Sequence, residues 1–257
     1  MLGAGALAWP ESASAEPSPA LDRFSLSAGA FRAEPKFNAA VDTPFGRLDS
    51  GNVERSSVTM PRIKADLLLF DTQGLSFDYY RYRRDYGGTL VSNTSVGSGT
   101  VTTTGSANVD LQLDFAKLAY KWWLGSGNTV LGLGAGAAYY RAGLDARATA
   151  VVGGSTGSIN ESYRDDAVAP LLEIGVRHAI NPNLRLFADV SGAKKNSGRV
   201  SGEIYNAAVG VEWFPLRNVG LVLDYGMTDI DLTREGGNHA HFRTKLKGPS
   251  AFVKVRF

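Results

Sequence analysis

The chain has 257 residues, 44% of them hydrophobic, with 30 Gly, no Cys and a formal charge of +2. A balance so near neutral argues against a nucleic-acid surface, and the lack of cysteine excludes disulfide scaffolds, thiol catalysis and cysteine-type zinc sites. No continuous apolar run approaches the roughly 18 residues that a transmembrane helix needs, so a bilayer could be crossed only by strands, and strands in lipid must close on themselves.

The first residues are set apart from the rest. Met1 to Trp9 is a short apolar stretch, and Ala13-Ser14-Ala15 has the small-x-small pattern of a signal-peptidase site. This assigns 1–15 to the remnant of a signal peptide and 16–22 to a short tail, with everything to about residue 21 outside the fold. From there, turn chemistry divides 23–257 into ten alternating segments of one barrel domain: Arg23–Val41, Ser57–Phe70, Leu75–Leu90, Ala107–Leu124, Thr129–Val151, Tyr163–Ala179, Leu184–Ala193, Gly202–Pro215, Val219–Thr233 and His241–Phe257.

The connections alternate in length. Asp71–Gly74, Gly125–Asn128, Ile180–Asn183 and Leu216–Asn218 are tight turns, whereas Thr43–Ser56, Val91–Ser106, Val152–Ser162, Lys194–Ser201 and Arg234–Ala240 are longer and polar. Transmembrane barrels have short inner turns and long outer loops. The expected fold is therefore an all-β, antiparallel, up-and-down transmembrane barrel of about ten strands, or eight if the hairpin around Val91–Ser106 is read differently.

A two-residue period assigns faces. Tyr205, Ala207, Val209, Val211 and Trp213 should meet lipid, as should Leu221, Leu223, Tyr225 and Met227, and likewise Leu131, Leu133, Val168, Leu172, Ile174 and Val176. Pro170, which cannot donate to a ladder, is expected at a bulge or rim. Two segments slip phase. Leu111, Leu113 and Phe115 are odd-numbered but Leu118, Tyr120 and Trp122 are even, which predicts a bulge near Ala116-Lys117, and a second around Tyr79–Tyr82. Arg81, Arg83 and Arg84 are expected beyond the hydrocarbon. Tyr79, Tyr80, Tyr82 and Tyr86 would form an outer aromatic belt, and Trp122, Trp123, Trp213 and Phe214 an inner one.

The final segment, Ala251 to Phe257, sets Val253, Val255 and Phe257 on one face and Lys254 and Arg256 on the other. Together with Tyr205–Pro215 and Asn218–Gly226, this ending resembles small outer-membrane barrels of the OmpA-like and OmpW-like kind. The resemblance covers roughly the last 60 residues well and the rest only through segment length and alternation. It implies insertion in a Gram-negative outer membrane among its lipid and lipopolysaccharide. It also implies that Val253, Val255 and Phe257 act as the assembly signal met by the barrel-assembly machinery. No specific activity follows, since such folds host many functions.

The inward faces carry both signs of charge: Arg62, Lys64, Asp66, Asp78, Asp114, Lys117, Lys121, Glu173, Arg177, Asp189, Glu212, Asp224, Lys254 and Arg256. A barrel of eight to ten strands is largely filled by side chains, so these should form an ion-pair network that plugs it, giving a monomer with a structural or surface-interaction role. The alternative is a narrow, porin-like pore for small solutes. A third possibility is a rim hydrolase. Outer-membrane proteases of the omptin type carry Asp and Asp-His pairs at the outer rim, and Asp229, Asp231, His239 and His241 lie near one outer loop, with Asp165, Asp166 or Asp85 as possible partners. The match is loose, and two ordinary histidines on a solvated loop are the favoured explanation of that cluster. No catalytic, cofactor or metal residue is assigned, and the outer loops are the expected seat of any specific binding.

Overall fold

In a computed structural model of the chain, which describes residues 18–43, 46–49, 53–54, 56–96, 99–152, 155–195, 200–234 and 240–257, every described regular element is a strand. The first, β1 (Phe24–Thr43), is followed at its outer end by two short strands that pair with it, β2 (Gly46–Asp49) and β3 (Val53–Glu54). The wall continues through β4 (Val58–Leu69), β5 (Gln73–Val96), β6 (Gly99–Leu124), β7 (Thr129–Val152) and β8 (Ser155–Asn181). It then runs through β9 (Leu184–Lys195), β10 (Val200–Trp213), β11 (Val219–Arg234) and β12 (Ala240–Arg256), all antiparallel. Because β12 also pairs with β1, from Ser25–Arg256 to Val41–Ala240, β1 and β4–β12 close a ten-stranded barrel.

The burial is inverted relative to a protein in water. Leu172 is 70% exposed while its neighbour Glu173 is 4% exposed. On β11, Leu221, Leu223, Tyr225 and Met227 are exposed, and the alternate residues Val222, Asp224 and Thr228 are buried. A wall of large apolar side chains around a polar interior is stable against hydrocarbon. Closure supplies what lipid cannot, a partner for every strand edge.

Strand lengths are uneven. β5, β6, β7 and β8 have 24, 26, 24 and 27 residues, against 12 in β9, whereas about 9–11 residues suffice to cross hydrocarbon. Much of what the sequence assigns to outer loops is paired strand, since the β5–β6 ladder runs to Val96–Gly99 and the β7–β8 ladder to Val152–Ser155. Val and Thr in these tracts favour the pleated backbone. The result is a four-stranded wall standing above one side of the barrel.

Neither predicted bulge forms. β6 keeps unbroken register with both neighbours through Ala116 and Lys117, and β5 does so through Tyr79–Tyr82. Leu113 and Phe115 instead point inward, where they join apolar clusters containing Tyr80 and Tyr82. Tyr80 and Tyr82 thus leave the predicted outer belt, and Trp123 and Phe214, both buried, leave the inner one. Trp122 and Trp213 remain on the outside, and the side chain of Tyr86 lies outside the described residues. Pro170 sits one residue beyond the point where the β8–β9 ladder ends, at Leu171–Ala193, so its missing N–H falls at the rim of that pair.

Residues 18–22, expected in a tail, belong to the barrel. Ser18 donates from Oγ to the carbonyl of Gly127 at 2.6 Å, and Ala20 and Leu21 pack on Leu68, Trp123, Val130 and Ala179 to form an apolar floor. Gly132 makes room beneath it: a Cβ there would lie 2.7 Å from the Trp123 ring.

Candidate functional site

The lumen holds the densest chemistry in the molecule. Its charges come from alternate residues of eight of the ten wall strands, all but β1 and β7, because one face of each strand must point inward, and small neighbours such as Gly134 on β7 leave room for long side chains. Three tiers are distinct. Above the floor, Asp22 receives Arg185 Nη1 at 2.6 Å and Lys254 Nζ at 2.9 Å, with Arg256 at 3.8 Å. Lys254 also donates to both oxygens of Glu212, at 2.9 and 3.0 Å, and the guanidinium of Arg256 lies 3.6 Å from the centre of the Phe214 ring.

In the middle tier, Arg177 and Asp189 form a two-pronged pair with both contacts at 2.9 Å, and Lys121 donates to Glu173 at 2.6 Å. Lys117 bridges Glu173 at 3.4 Å and Asp78 at 4.0 Å. Higher still, Arg62 engages Asp78 through two contacts of 2.9 and 2.6 Å, and Lys64 reaches Asp224 at 2.8 Å while sitting 4.5 Å over the Phe252 ring. Asp66 has only a long contact of 3.5 Å from Ser25 Oγ. Above these pairs the lumen turns apolar again, in two clusters, one with Tyr80, Phe115, Leu171, Ile204 and Ile230 and the other with Phe31 and Met60.

Eleven of the twelve expected lumen residues therefore face the lumen, all but Asp66 in ion pairs: Arg62, Lys64, Asp66, Lys121, Glu173, Arg177, Asp189, Glu212, Asp224, Lys254 and Arg256. The twelfth, Asp114, is corrected. It follows the even, outward phase of β6 and is held on the outside wall by Arg81 Nε, Tyr79 OH at 3.2 Å and Gln112 Nε2 at 2.9 Å. Two members were missed. Arg185 shares the phase of Asp189 on β9, so the two-residue period already points it inward. Asp22 precedes the first strand and carries no periodic signal at all.

The rim cluster does not assemble among the described residues. Asp229 is taken up by Arg243 at 3.4 Å and Lys245 at 3.1 Å, and Asp231 lies 3.9 Å from Arg243. His239 is outside the described residues, and the backbone of His241 pairs with Thr233 and Ala40. The proposed acidic partners, Asp165 and Asp166 on β8 and Asp85 on β5, each stand three strands or more around the barrel from β11 or β12. No group of three metal-binding side chains occurs among the described residues.

The outer wall of β5–β8 offers the other concentration of polar groups, and it faces away from the lumen.

No family model matches this chain, and no curated protein matches it. Solved structures do. The outer membrane protease OmpT from Escherichia coli superposes with a TM-score of 0.60 at 14% identity, over 91% of this chain and 96% of that one. The translocator domain of the autotransporter NalP from Neisseria meningitidis gives 0.44 at 10% identity, covering 91% and 88%, and the outer membrane protein OprG from Pseudomonas aeruginosa 0.41 at 9%, covering 95% and 99%. Only the first exceeds a general likeness among barrels. The fold of this chain is that of the outer-membrane β-barrels.

Proposed function

We propose that this protein is a non-conducting barrel of the Gram-negative outer membrane, with a structural or surface-interaction role exercised by the wall that β5–β8 raise above the bilayer. The crowded, charge-paired lumen carries this reading. Its ionic tiers lie between the Ala20–Trp123 floor and the Tyr80–Phe115–Ile230 layer. Two cavities among these charges hold about 40 and 60 Å³, room for a few waters. A selective channel would more naturally present one sign of charge, whereas here cations and anions are matched side by side.

Residence in the outer membrane is supported by the apolar exterior, the even strand number, the short inner turns and the fold shared with an outer membrane protease. Outer-membrane lipid and lipopolysaccharide would surround the barrel as a monomer, and the barrel-assembly machinery would insert it. Cell fractionation tests the location: the protein should sediment with the outer membrane and migrate faster on gels before heating than after. Planar-bilayer recording tests the lumen. Silence is expected, and reproducible conductance steps whose selectivity changes in a Glu173→Lys variant would overturn the sealed barrel in favour of a narrow pore.

A further inference from the structure

Just above the apolar band, β5–β8 turn an ordered set of side chains outward. The row of Tyr79, Ala116, Tyr139 and Val168 closes the band. One step farther out stand Arg81, Asp114, Arg141 and Asp166, followed by Arg83, Gln112, Gly143 and Arg164. The row beyond is carboxylate: Asp85, Asp110 and Asp145 face one another on three adjacent strands.

The arginines are unequally occupied. Arg81 is engaged by Asp114. Arg83 donates to the amide oxygen of Gln112 at 3.0 Å, Arg164 reaches Asp145 only at 3.9 Å, and Arg141, flanked in the ladders by Asp114 and Asp166, makes no ion pair within 4 Å among the described residues. Arg83, Arg141 and Arg164 rim an open groove of about 500 Å³. Gly143 leaves its floor bare. A Cβ there would meet nothing closer than 3.8 Å, so the wall does not require glycine, but a larger side chain would fill the groove.

We infer that this groove binds the phosphorylated sugar headgroup of an outer-leaflet glycolipid, an inference that rests on residence in the outer membrane. Guanidinium groups match phosphate oxygens in pairs, and these three lie at the level where a headgroup meets the hydrocarbon boundary. The lipid's acyl chains would run down over Tyr139 and the apolar face below it. The carboxylate row selects for a sugar. Asp85, Asp110 and Asp145 can accept hydrogen bonds from hydroxyl groups but would repel a bare anion set farther out. Like charges opposite one another in a sheet are destabilising, and hydroxyl donors from a bound sugar would relieve that cost.

The test is a lipid titration of the detergent-solubilised full chain followed by native mass spectrometry. Bis-phosphorylated lipid A, dephosphorylated lipid A, phosphatidylglycerol and inorganic phosphate are the probes. Bis-phosphorylated lipid A should be retained in preference to the other three, and at least tenfold more weakly by Arg83→Gln/Arg141→Gln and by Gly143→Leu. Heat-modifiable migration of both variants should be unchanged. Equal retention by parent and variants, or of the dephosphorylated lipid, would overturn the site. Equal retention of phosphatidylglycerol or of inorganic phosphate would refute the sugar and the lipid respectively. Failure of the outer-membrane reading would appear elsewhere, as absence of the protein from the outer-membrane fraction.

Discussion

Phe24 and Phe257 clasp each other at the seam of the barrel: Phe257 N–H donates to the Phe24 carbonyl at 2.9 Å, Phe24 N–H to the Phe257 carbonyl at 3.2 Å, and their rings stack with centres 6.1 Å apart. Burying a Phe side chain is worth only about 1.5–3 kcal/mol, whereas a strand edge left open in lipid costs several kcal/mol per unpaired group. Deleting Phe257 should therefore cut outer-membrane levels sharply in cells while detergent-refolded protein stays nearly normal. Unchanged levels in fractionated cells would refute an assembly role for the Val253–Val255–Phe257 face.

The Arg177–Asp189 pair offers a second test. Asp189→Asn leaves a guanidinium buried without its counter-charge and should destabilise the barrel by about 3–5 kcal/mol, read from urea unfolding followed by tryptophan fluorescence. The double change Arg177→Met/Asp189→Leu should recover most of that loss. If the single and double variants unfold alike, the pair is not the source of the stability.

Two glycines of β7 should respond unequally to the same substitution. Gly132→Ala places a methyl group against the Trp123 ring and should cost about 1–3 kcal/mol, because the ring must leave its place in the floor. Gly143→Ala should stay within about 0.5 kcal/mol of the parent. Equal effects in the same unfolding assay would contradict the packing described.

Asp110 gives a pH signature. A hydrogen bond with Asp85, partial desolvation and the neighbouring carboxylate charges raise its pKa above the ordinary value. A carboxyl that binds its proton more tightly when folded than when unfolded costs stability once ionised, so the penalty is present at neutral pH and vanishes below the unfolded pKa. Asp110→Asn should make the outer wall more resistant to proteolysis at pH 7.5, with no advantage near pH 3.5, below the usual Asp pKa of about 3.9. A gain that persists unchanged at the acidic pH would point to another cause.

The sequence was most legible where the two sides of the wall differ most. On β8, β10 and β11, residues such as Leu172, Val209 and Leu223 face hydrocarbon and Glu173, Gly210 and Asp224 face the lumen, so a single period fixes both. The upper parts of β5 and β6 misled for a physical reason. There the outside is water and the inside is apolar, so Leu113 and Phe115 point inward and Gln112 and Asp114 outward. The apolar phase changes without any inserted residue, and a period read with one outer solvent in mind mistakes that change for a bulge. Asp22 was illegible because a single residue before the first strand belongs to no period, and its place in the network is decided by Arg185 and Lys254, far away in the chain.

The raised wall also has two margins. β5 pairs with β4 only as far as Tyr80–Arg62, and β8 with β9 only from Leu171–Ala193, so beyond these points each margin has no ladder partner among the described strands. Rows of free backbone N–H and C=O groups are templates for unwanted pairing, and charged side chains along such rows are the usual deterrent. Arg81, Arg83 and Asp85 border one margin, where Arg84 also donates to the Ser56 carbonyl at 2.9 Å, and Arg164 and Asp166 border the other. In a crowded bilayer, where copies would diffuse in one plane with their walls at the same height, charges so placed would oppose the zipping of neighbouring walls into a continuous sheet.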